Sequence, residues 1–317
     1  MRAAYVPCYG PPEVVVLREV PTPVPARGEV RIRVFATAVT TGDWRLRSGV
    51  LPRGFGVLRG PALGFRGPRK AVLGTDAAGV VDRVGEGVTR FRVGEPVLAF
   101  PGSALGGHAE FLALPADGCI VRKPDNLTFE EAVALPFGAM TALDFLRRGK
   151  AKAGERILVN GASGNVGSAA VQLAKHFGLH VTAVCSASNA DLVRSLGAEA
   201  VIDYTSADFA TGNAPYARVR PVLSPNGRLL AVLADLPAVL LAPFAGRAHG
   251  HRVVAGPASE KPADLDTLVR LAVEGTFKPV IDQRFPFERM SDAYHVVDSG
   301  RKRGSVIVTL DDRAVMR

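Results

Sequence analysis

Between residues 156 and 177 the chain changes its hydrophobic rhythm. An unbroken apolar run, Ile157-Leu158-Val159, gives way to a spacing of three and four carried by Ala169, Ala170, Val171, Leu173, Ala174 and Phe177. The run predicts a short strand covered on both faces, as in a parallel sheet, and the spacing predicts an amphipathic helix. The same alternation continues downstream. It predicts strands at 156–160, 180–184 and 199–202 and helices at 164–177 and 189–196. Further strands are expected near 228–233, 252–254, 280–285 and 305–310, with helices near 216–223, 262–274 and 288–299. A βαβαβ order of this kind predicts a doubly wound parallel sheet.

Before about residue 125 the rhythm is that of short strands. Glu29-Val30-Arg31-Ile32-Arg33-Val34 alternates, Val14–Leu17 is apolar, and Pro21, Pro23 and Pro25 keep the interval between them extended. Gly79–Gly85, Pro96–Phe100, Phe111–Leu114 and Gly118–Val121 follow, bounded by glycine and proline. Many short strands with such turns predict a compact, barrel-like β unit. Leu51–Arg69 is a long glycine- and arginine-rich stretch, which fits a lid or a plain surface loop. Thr128-Phe129-Glu130-Glu131 has the form of a capped helix start, and a second helix is expected from about Phe137 to Arg148.

Composition narrows the class. A chain of 317 residues, 47% hydrophobic, has room for two domains with substantial cores. The longest apolar stretch, Leu229–Phe244, is interrupted by Asp235, Pro237 and Pro243 and falls short of the ~20 residues of a membrane span. The first residues, Met1-Arg2-Ala3-Ala4-Tyr5-Val6-Pro7, lack the apolar centre of a signal peptide, so a cytoplasmic protein is expected, with no membrane partner. Cys8, Cys119 and Cys185 are far apart, and neither they nor the scattered histidines have metal-ligand or disulfide spacing. The net charge of +9, from 39 Lys+Arg against 30 Asp+Glu, is spread along the chain. It is not interleaved with aromatics as a nucleic-acid groove requires, so a basic surface without a nucleic-acid partner is expected.

The join between the first strand and helix carries candidate chemistry. It reads Asn160-Gly161-Ala162-Ser163-Gly164-Asn165-Val166-Gly167. Backbone N–H groups at a helix start attract an anion, and glycines let a pyrophosphate approach and the helix pack on the strand. Gly164 and Gly167 suit those two roles, while Ala162 replaces the first glycine of the G-x-G-x-x-G pattern and Gly161 sits just before it. The next strand ends in Cys185-Ser186-Ala187-Ser188-Asn189, with no carboxylate to receive a ribose 2′-hydroxyl. Hydroxyl and amide donors there, with Arg194 beyond, favour a 2′-phosphate and therefore NADPH over NADH.

GDWRLRSG, VLGTDAAGVVDRVGEGVTRFRVGEPV, LPFGAMTAL, NGASGNVGSAAVQLAK and LGAEAVIDY together resemble the medium-chain dehydrogenase/reductase superfamily, in its zinc-free, quinone oxidoreductase-like branch. The resemblance covers nearly the whole chain in the family's order. It implies an α/β protein with a GroES-like β-barrel domain, residues 1–125 and 284–317, and a Rossmann doubly wound parallel sheet, residues 126–283. It implies a cleft site in which NADPH delivers hydride to a quinone, an enone or a similar small activated substrate, in a homodimer. Thr40 and Thr75 stand where zinc-dependent relatives place a cysteine and a histidine, and a lobe with four close cysteines is absent, which implies no zinc. By the same resemblance Gly161, Ala162, Ser163, Gly164, Asn165, Val166 and Gly167 hold the pyrophosphate. Ser186, Asn189 and Tyr204 hold the 2′-phosphate, and Thr141 meets the nicotinamide end. Thr40, Asp43, Trp44 and Arg47 line the substrate cleft; Arg47 is either an oxyanion donor or, more simply, the partner of Asp43 at i,i+4.

One departure stands out. The family's chains continue after the VIDY segment with a strand of the type Tyr-Asp-Val-Ile-Phe-Asp and a Val-Gly turn. Here Asp208–Gly212 runs straight into Asn213-Ala214-Pro215-Tyr216, about a dozen residues fewer than a strand with its loop takes. The absent strand would be central, beside 156–160, and its turn would border the nicotinamide ribose. Either the sheet re-pairs, or Ala214 and its neighbours supply a substitute strand, or a segment is missing from the sequence. The alternative function is therefore a non-redox enzyme of cyclase or isomerase type, or a binding protein, with an impaired nicotinamide site.

Overall fold

The computed structural model describes residues 1–206 and 215–310. They form two units. One contains Met1–Val50, Leu58–Phe137 and the chain from Glu260 onward; the other contains Leu51–Val57 and Gly138–Ser259.

The first unit is organised by the strand Glu29–Val39, which is long enough to hold two partners in tandem along one edge. Phe111–Pro115 pairs with its first half, Val30 opposite Leu114, and Ser305–Thr309 pairs with its second half, Val306 opposite Val39. Ala77–Val84 runs along the other edge, with irregularities at Arg31/Ile32 and Val34/Ala36 that bend the sheet. Pro96–Ala99 and Ile120–Arg122 extend that side, and Ile281–Pro286 lies parallel to Ser305–Thr309. Ile32, Leu98 and Ile120 on this sheet are fully buried, as are Leu73 and Phe287 outside its strands. The helix Met290–Asp298 closes the core with Met290, Ala293, Tyr294 and Val297, the i, i+3, i+4, i+7 stripe of a helix with one buried face.

The second unit begins its sheet with three parallel strands in the order Ala200–Asp203, His180–Cys185, Arg156–Asn160. Arg228–Ala231 and Arg252–Ala255 form a separate parallel pair, tied back to the first strand's approach by the Arg228–Glu155 ion pair. Among the described residues no strand joins the free edge of Arg156–Asn160 to Arg228–Ala231. Within those residues the sheet has not re-paired across the expected gap; Ala214 and the junction Asp208–Asn213 lie outside the described residues. Exposure follows from this. Leu158, expected to be covered on both sides, is 42% exposed, whereas Val181, Ala183 and Val184 one strand over are buried.

Most expected elements are present within a residue or two, including the capping box at Thr128 and Glu131. Two expectations change. The apolar run at Val14–Leu17 begins as a 3₁₀ turn, Pro12–Val14, because the prolines preset a turn, and the strand is Val16–Glu19. The residues that seemed to interrupt 229–244 start a helix, Leu236–Leu241: Asp235 caps it through the Ala238 N–H, and Pro237 sits in its first turn, where no donor is lost. Leu51–Arg69 contains short helical turns at Phe55–Leu58 and Arg59–Leu63. No helix of the described residues is long and apolar enough to cross a membrane.

Candidate functional site

In the second unit the glycine turn is shaped by backbone needs. Gly161 has φ +69°, so it, and not the neighbouring Ala162, takes the left-handed conformation that the turn requires. Ala162 is fully buried and its N–H donates to the carbonyl of Val184, fastening the turn to the end of the next strand. A Cβ on Gly167 would lie 2.1 Å from the Gly161 carbonyl oxygen, so the helix Asn165–His176 can approach only with glycine there. A Cβ on Gly164 would meet nothing nearer than that same oxygen at 3.4 Å. Among the described residues, packing leaves the space over Gly164 open and no side chain caps the helix that starts beside it. An uncapped helix start under open space fits a pyrophosphate.

The end of the His180–Cys185 strand is linked to this turn through side chains. Asn189 Nδ2 donates to Ser163 Oγ and to Ser186 Oγ, both at 3.1 Å, and Ser186 Oγ lies 3.0 Å from Ser188 Oγ. Ser163, Ser186 and Asn189 are thus brought together, with the half-exposed Tyr204 following the third strand. Arg194 is engaged by Asp191 on the helix surface. A carboxylate also comes close. Asp203 is held below the usual carboxylate range by the backbone N–H and then the hydroxyl of Thr205, and it also bonds the backbone N–H of Ala187. Thr141 lies on the helix Pro136–Arg148, away in sequence from both clusters. That helix passes so near the turn that a Cβ on Gly138 would overlap the Asn165 side chain.

In the first unit Thr40 caps the helix Thr41–Ser48: its hydroxyl accepts from the Asp43 N–H, and the Asp43 carboxylate accepts from the Thr40 N–H at 2.9 Å. Asp43 also accepts from Thr40 Oγ1 at 2.6 Å and from the Gly74 N–H at 2.9 Å. Thr40 and Thr75 stand side by side, hydroxyl to hydroxyl at 3.5 Å, and Thr75 donates to Asp76 at 2.6 Å. Asp76 receives the Phe137 N–H at 3.1 Å. Burial pushes the Asp76 carboxyl up to about 8, the Asp43 charge adding to the rise and the bonds from Thr75 and Phe137 opposing it. Zinc asks for thiolate, imidazole or carboxylate ligands, three of them from protein at a catalytic site. The hydroxyls of Thr40 and Thr75, both already bonded to aspartates, do not fit it.

Arg47 does not pair with Asp43. It is 1% exposed; its Nη2 holds both oxygens of Asp298 at 2.5 and 2.6 Å, its Nη1 bonds the Gly10 carbonyl, and its guanidinium lies over the Tyr294 ring. Asp43 already has three donors, which leaves the guanidinium to a partner 251 residues away. Trp44 is half-buried against the core and stacks with Arg45. Behind Asp43 the fully buried Tyr294 hydroxyl lies 3.4 Å from His108 Nδ1, and His108 Nε2 is 3.0 Å from the Ala38 carbonyl. That carbonyl can only accept, so Nε2 carries the proton and Nδ1 faces the tyrosine. Asp76, His108, Tyr294 and Asp298 escaped the sequence reading. Asp76 alone had a local signal, beside Thr75 in the GTD triplet; the others meet the site through tertiary folding.

Family models match most of the chain: an alcohol dehydrogenase GroES-like domain over residues 26–125, and zinc-binding dehydrogenase domains over 165–214 and 196–308. The chloroplastic quinone-oxidoreductase QR1 of Triphysaria versicolor is 32% identical over 318 residues, covering 92% of each chain. The 2-methylene-furan-3-one reductase of Solanum lycopersicum is 31% identical, covering 95% of this chain and 76% of its own. The quinone oxidoreductase from Coxiella burnetii superposes with a TM-score of 0.85 at 25% identity, covering 98% of this chain and 99% of its own.

Proposed function

The chain belongs to the medium-chain dehydrogenase/reductase superfamily, in its quinone oxidoreductase-like branch, and from that premise we propose a zinc-independent oxidoreductase that passes hydride from NADPH to a quinone, an enone or another activated carbonyl. The observation that carries the reading is the turn at Gly161–Gly167, with its open space over Gly164 and its uncapped helix start. In this reading Gly161, Ala162, Ser163, Gly164, Asn165, Val166 and Gly167 hold the pyrophosphate through backbone N–H groups. Ser186, Asn189 and Tyr204 receive the 2′-phosphate, and Thr141 meets the nicotinamide. Bound NADPH supplies the hydride with its electron pair. Thr75 presents its hydroxyl to the acceptor's oxygen as charge develops there, while Thr40, Asp43 and Trp44 hold the helix start in place and Arg47 braces it from behind. The hydroxyl donors at Thr40 and Thr75 support zinc independence, and the relative named for 2-methylene-furan-3-one supports an enone acceptor. We take the working form to be a cytoplasmic homodimer acting on a small molecule.

Calorimetric titration with NADPH and NADH, followed by addition of menadione or methyl vinyl ketone while the reduced-nicotinamide absorbance is recorded, tests this. Tighter binding of NADPH and its oxidation by at least one acceptor are expected. Tighter NADH binding would reverse the cofactor assignment and point to Asp203 beside Ala187 as the reason. One observation favours a second reading: among the described residues no strand pairs with Arg156–Asn160 on the side where the family's next strand would border the nicotinamide ribose. A non-redox enzyme or binding protein on this scaffold would bind or rearrange an enone equally well with the nucleotide removed.

A further inference from the structure

Two threonine hydroxyls join two buried carboxylates into one run. Asp76 Oδ2 lies 2.6 Å from Thr75 Oγ1, Thr75 Oγ1 lies 3.5 Å from Thr40 Oγ1, and Thr40 Oγ1 lies 2.6 Å from Asp43 Oδ2. Asp43, Asp76 and Thr40 are fully buried; Thr75, 7% exposed, is the member of the run that reaches the surface. The direction of donation is set at one end. Asp43 takes only donors, the Thr40 and Gly74 N–H groups and the Thr40 hydroxyl, so Thr40 donates towards it. At the other end, Asp76 is buried with no cation bonded to it among the described residues, and a carboxyl pushed up to about 8 holds its proton at neutral pH. With Asp76 ionised, Thr75 donates to it across the 2.6 Å bond; with Asp76 protonated, the carboxyl donates across the same bond to Thr75 Oγ1, which frees the Thr75 hydroxyl proton to point onward. The charged and titratable groups around the run are few. Asp43 acts on Asp76 from the helix Thr41–Ser48, and Tyr294 stands behind Asp43 on the helix Met290–Asp298, bonded to His108. Arg47 and Asp298 neutralise each other beside that tyrosine.

We propose that Thr75 Oγ1 delivers the proton that completes reduction of the acceptor, and that Asp76 resupplies it. The proposal rests on the hydride-transfer reading above. With an enone, hydride arrives with its electron pair at the β-carbon, and the double-bond electrons move onto the carbonyl oxygen. The Thr75 O–H bond breaks as its proton passes to that oxygen, and the Asp76 O–H bond breaks as its proton passes to Thr75. The products are NADP⁺, the enol, which becomes the saturated ketone in water, and an Asp76 carboxylate that recovers its proton from solvent. Asp76 acts only through Thr75, so its role is to store and aim a proton. Thr40 and Asp43 fix the orientation of the Thr75 hydroxyl from the other side.

The test has one readout without nucleotide and one with it. In infrared difference spectra of the nucleotide-free protein between pH 6 and 10, a protonated-carboxyl band should disappear with a midpoint near 8 and be missing from Asp76→Asn. In steady-state oxidation of NADPH with methyl vinyl ketone, the wild-type kcat should fall above pH 8. Asp76→Asn should lower kcat on the order of 10²-fold and remove that alkaline limb, leaving the KM for NADPH unchanged. Thr75→Ser should keep both rate and limb, and Thr75→Val should lose both; thermal melts of each variant establish that it is folded. A titrating band that persists in Asp76→Asn, or an unchanged alkaline limb in that variant, overturns the relay while wild-type turnover leaves the reductase reading standing. A wild-type protein that oxidises no NADPH with menadione or methyl vinyl ketone overturns the reading, and the relay with it.

Discussion

At the scale of single residues, two buried ionisable groups govern what the first unit tolerates. Asp76 has a folded-state pKa raised from an ordinary 3.8 to about 8. Between those values the folded protein keeps a proton that the unfolded chain has released, so stability falls as pH rises through the window and levels off above about 8. The slope is about 1.4 kcal/mol per pH unit at full effect. Asp76→Asn, which cannot ionise, should flatten this part of the stability profile and make the protein more stable than wild type at pH 8, as read by urea unfolding from pH 5 to 9. The second group is Arg47, buried and paired with the partly exposed Asp298, its Nε hydrogen without a partner among the described residues. Asp298→Ala leaves a buried guanidinium without a counter-ion and should cost about 3–5 kcal/mol in the same experiment. Asp298→Asn, which still offers an acceptor, should cost less.

At the scale of elements, periodicity was a good guide wherever one face of a strand or helix carries its burial. The alternation of Val30, Ile32 and Val34 and the helical stripe of Met290, Ala293, Tyr294 and Val297 are readable in the sequence, and both elements stand where they were expected. The glycine turn was legible for the same reason: a positive φ at Gly161 and a 2.1 Å clearance at Gly167 are local demands that leave a local mark. The helix Leu236–Leu241 was hidden because its cap and its first-turn proline resemble breakers when nothing shows which side the helix lies on. The polar interior of the first unit was hidden for a different reason. Whether Arg47 meets Asp43 four residues on or Asp298 at the far end of the chain depends on which acceptor still has room. Only the folded arrangement, with Asp43 already filled by Thr40 and Gly74, decides that. Candidate chemistry was therefore visible as residue types, and its wiring was not.

At the scale of the whole molecule, the two units differ in how their sheets are knit. In the first, Glu29–Val39 alone bonds to three neighbours, and the ladder runs unbroken from Ile281–Pro286 to Ile120–Arg122. In the second, the described strands form one set of three and one of two. Continuity of backbone bonding is what makes neighbouring strands open together, so the units should differ in cooperativity. Amide hydrogen exchange should therefore show uniform, slow exchange across the first unit's sheet. The amides of Leu229–Ala231 and Val253–Ala255 should exchange faster, with their own denaturant dependence, than those of Val181–Val184. Equal protection across all five parallel strands would show that side-chain packing alone couples them.

The exposed flank of Leu158 carries that difference into ligand response. A nucleotide seated on the Gly161–Gly167 turn would stiffen the three strands that lead into it, and the bonding ladder ends there. The remaining pair would receive the signal only through packing and the Arg228–Glu155 link. Saturation with NADPH should then split one melting transition into two, the upper one moving with nucleotide concentration and the lower one staying still. Among the described residues no strand bridges the two sets, and that gap behaves like a fuse left out of a circuit: each half keeps its own structure, and stabilisation stops at the break.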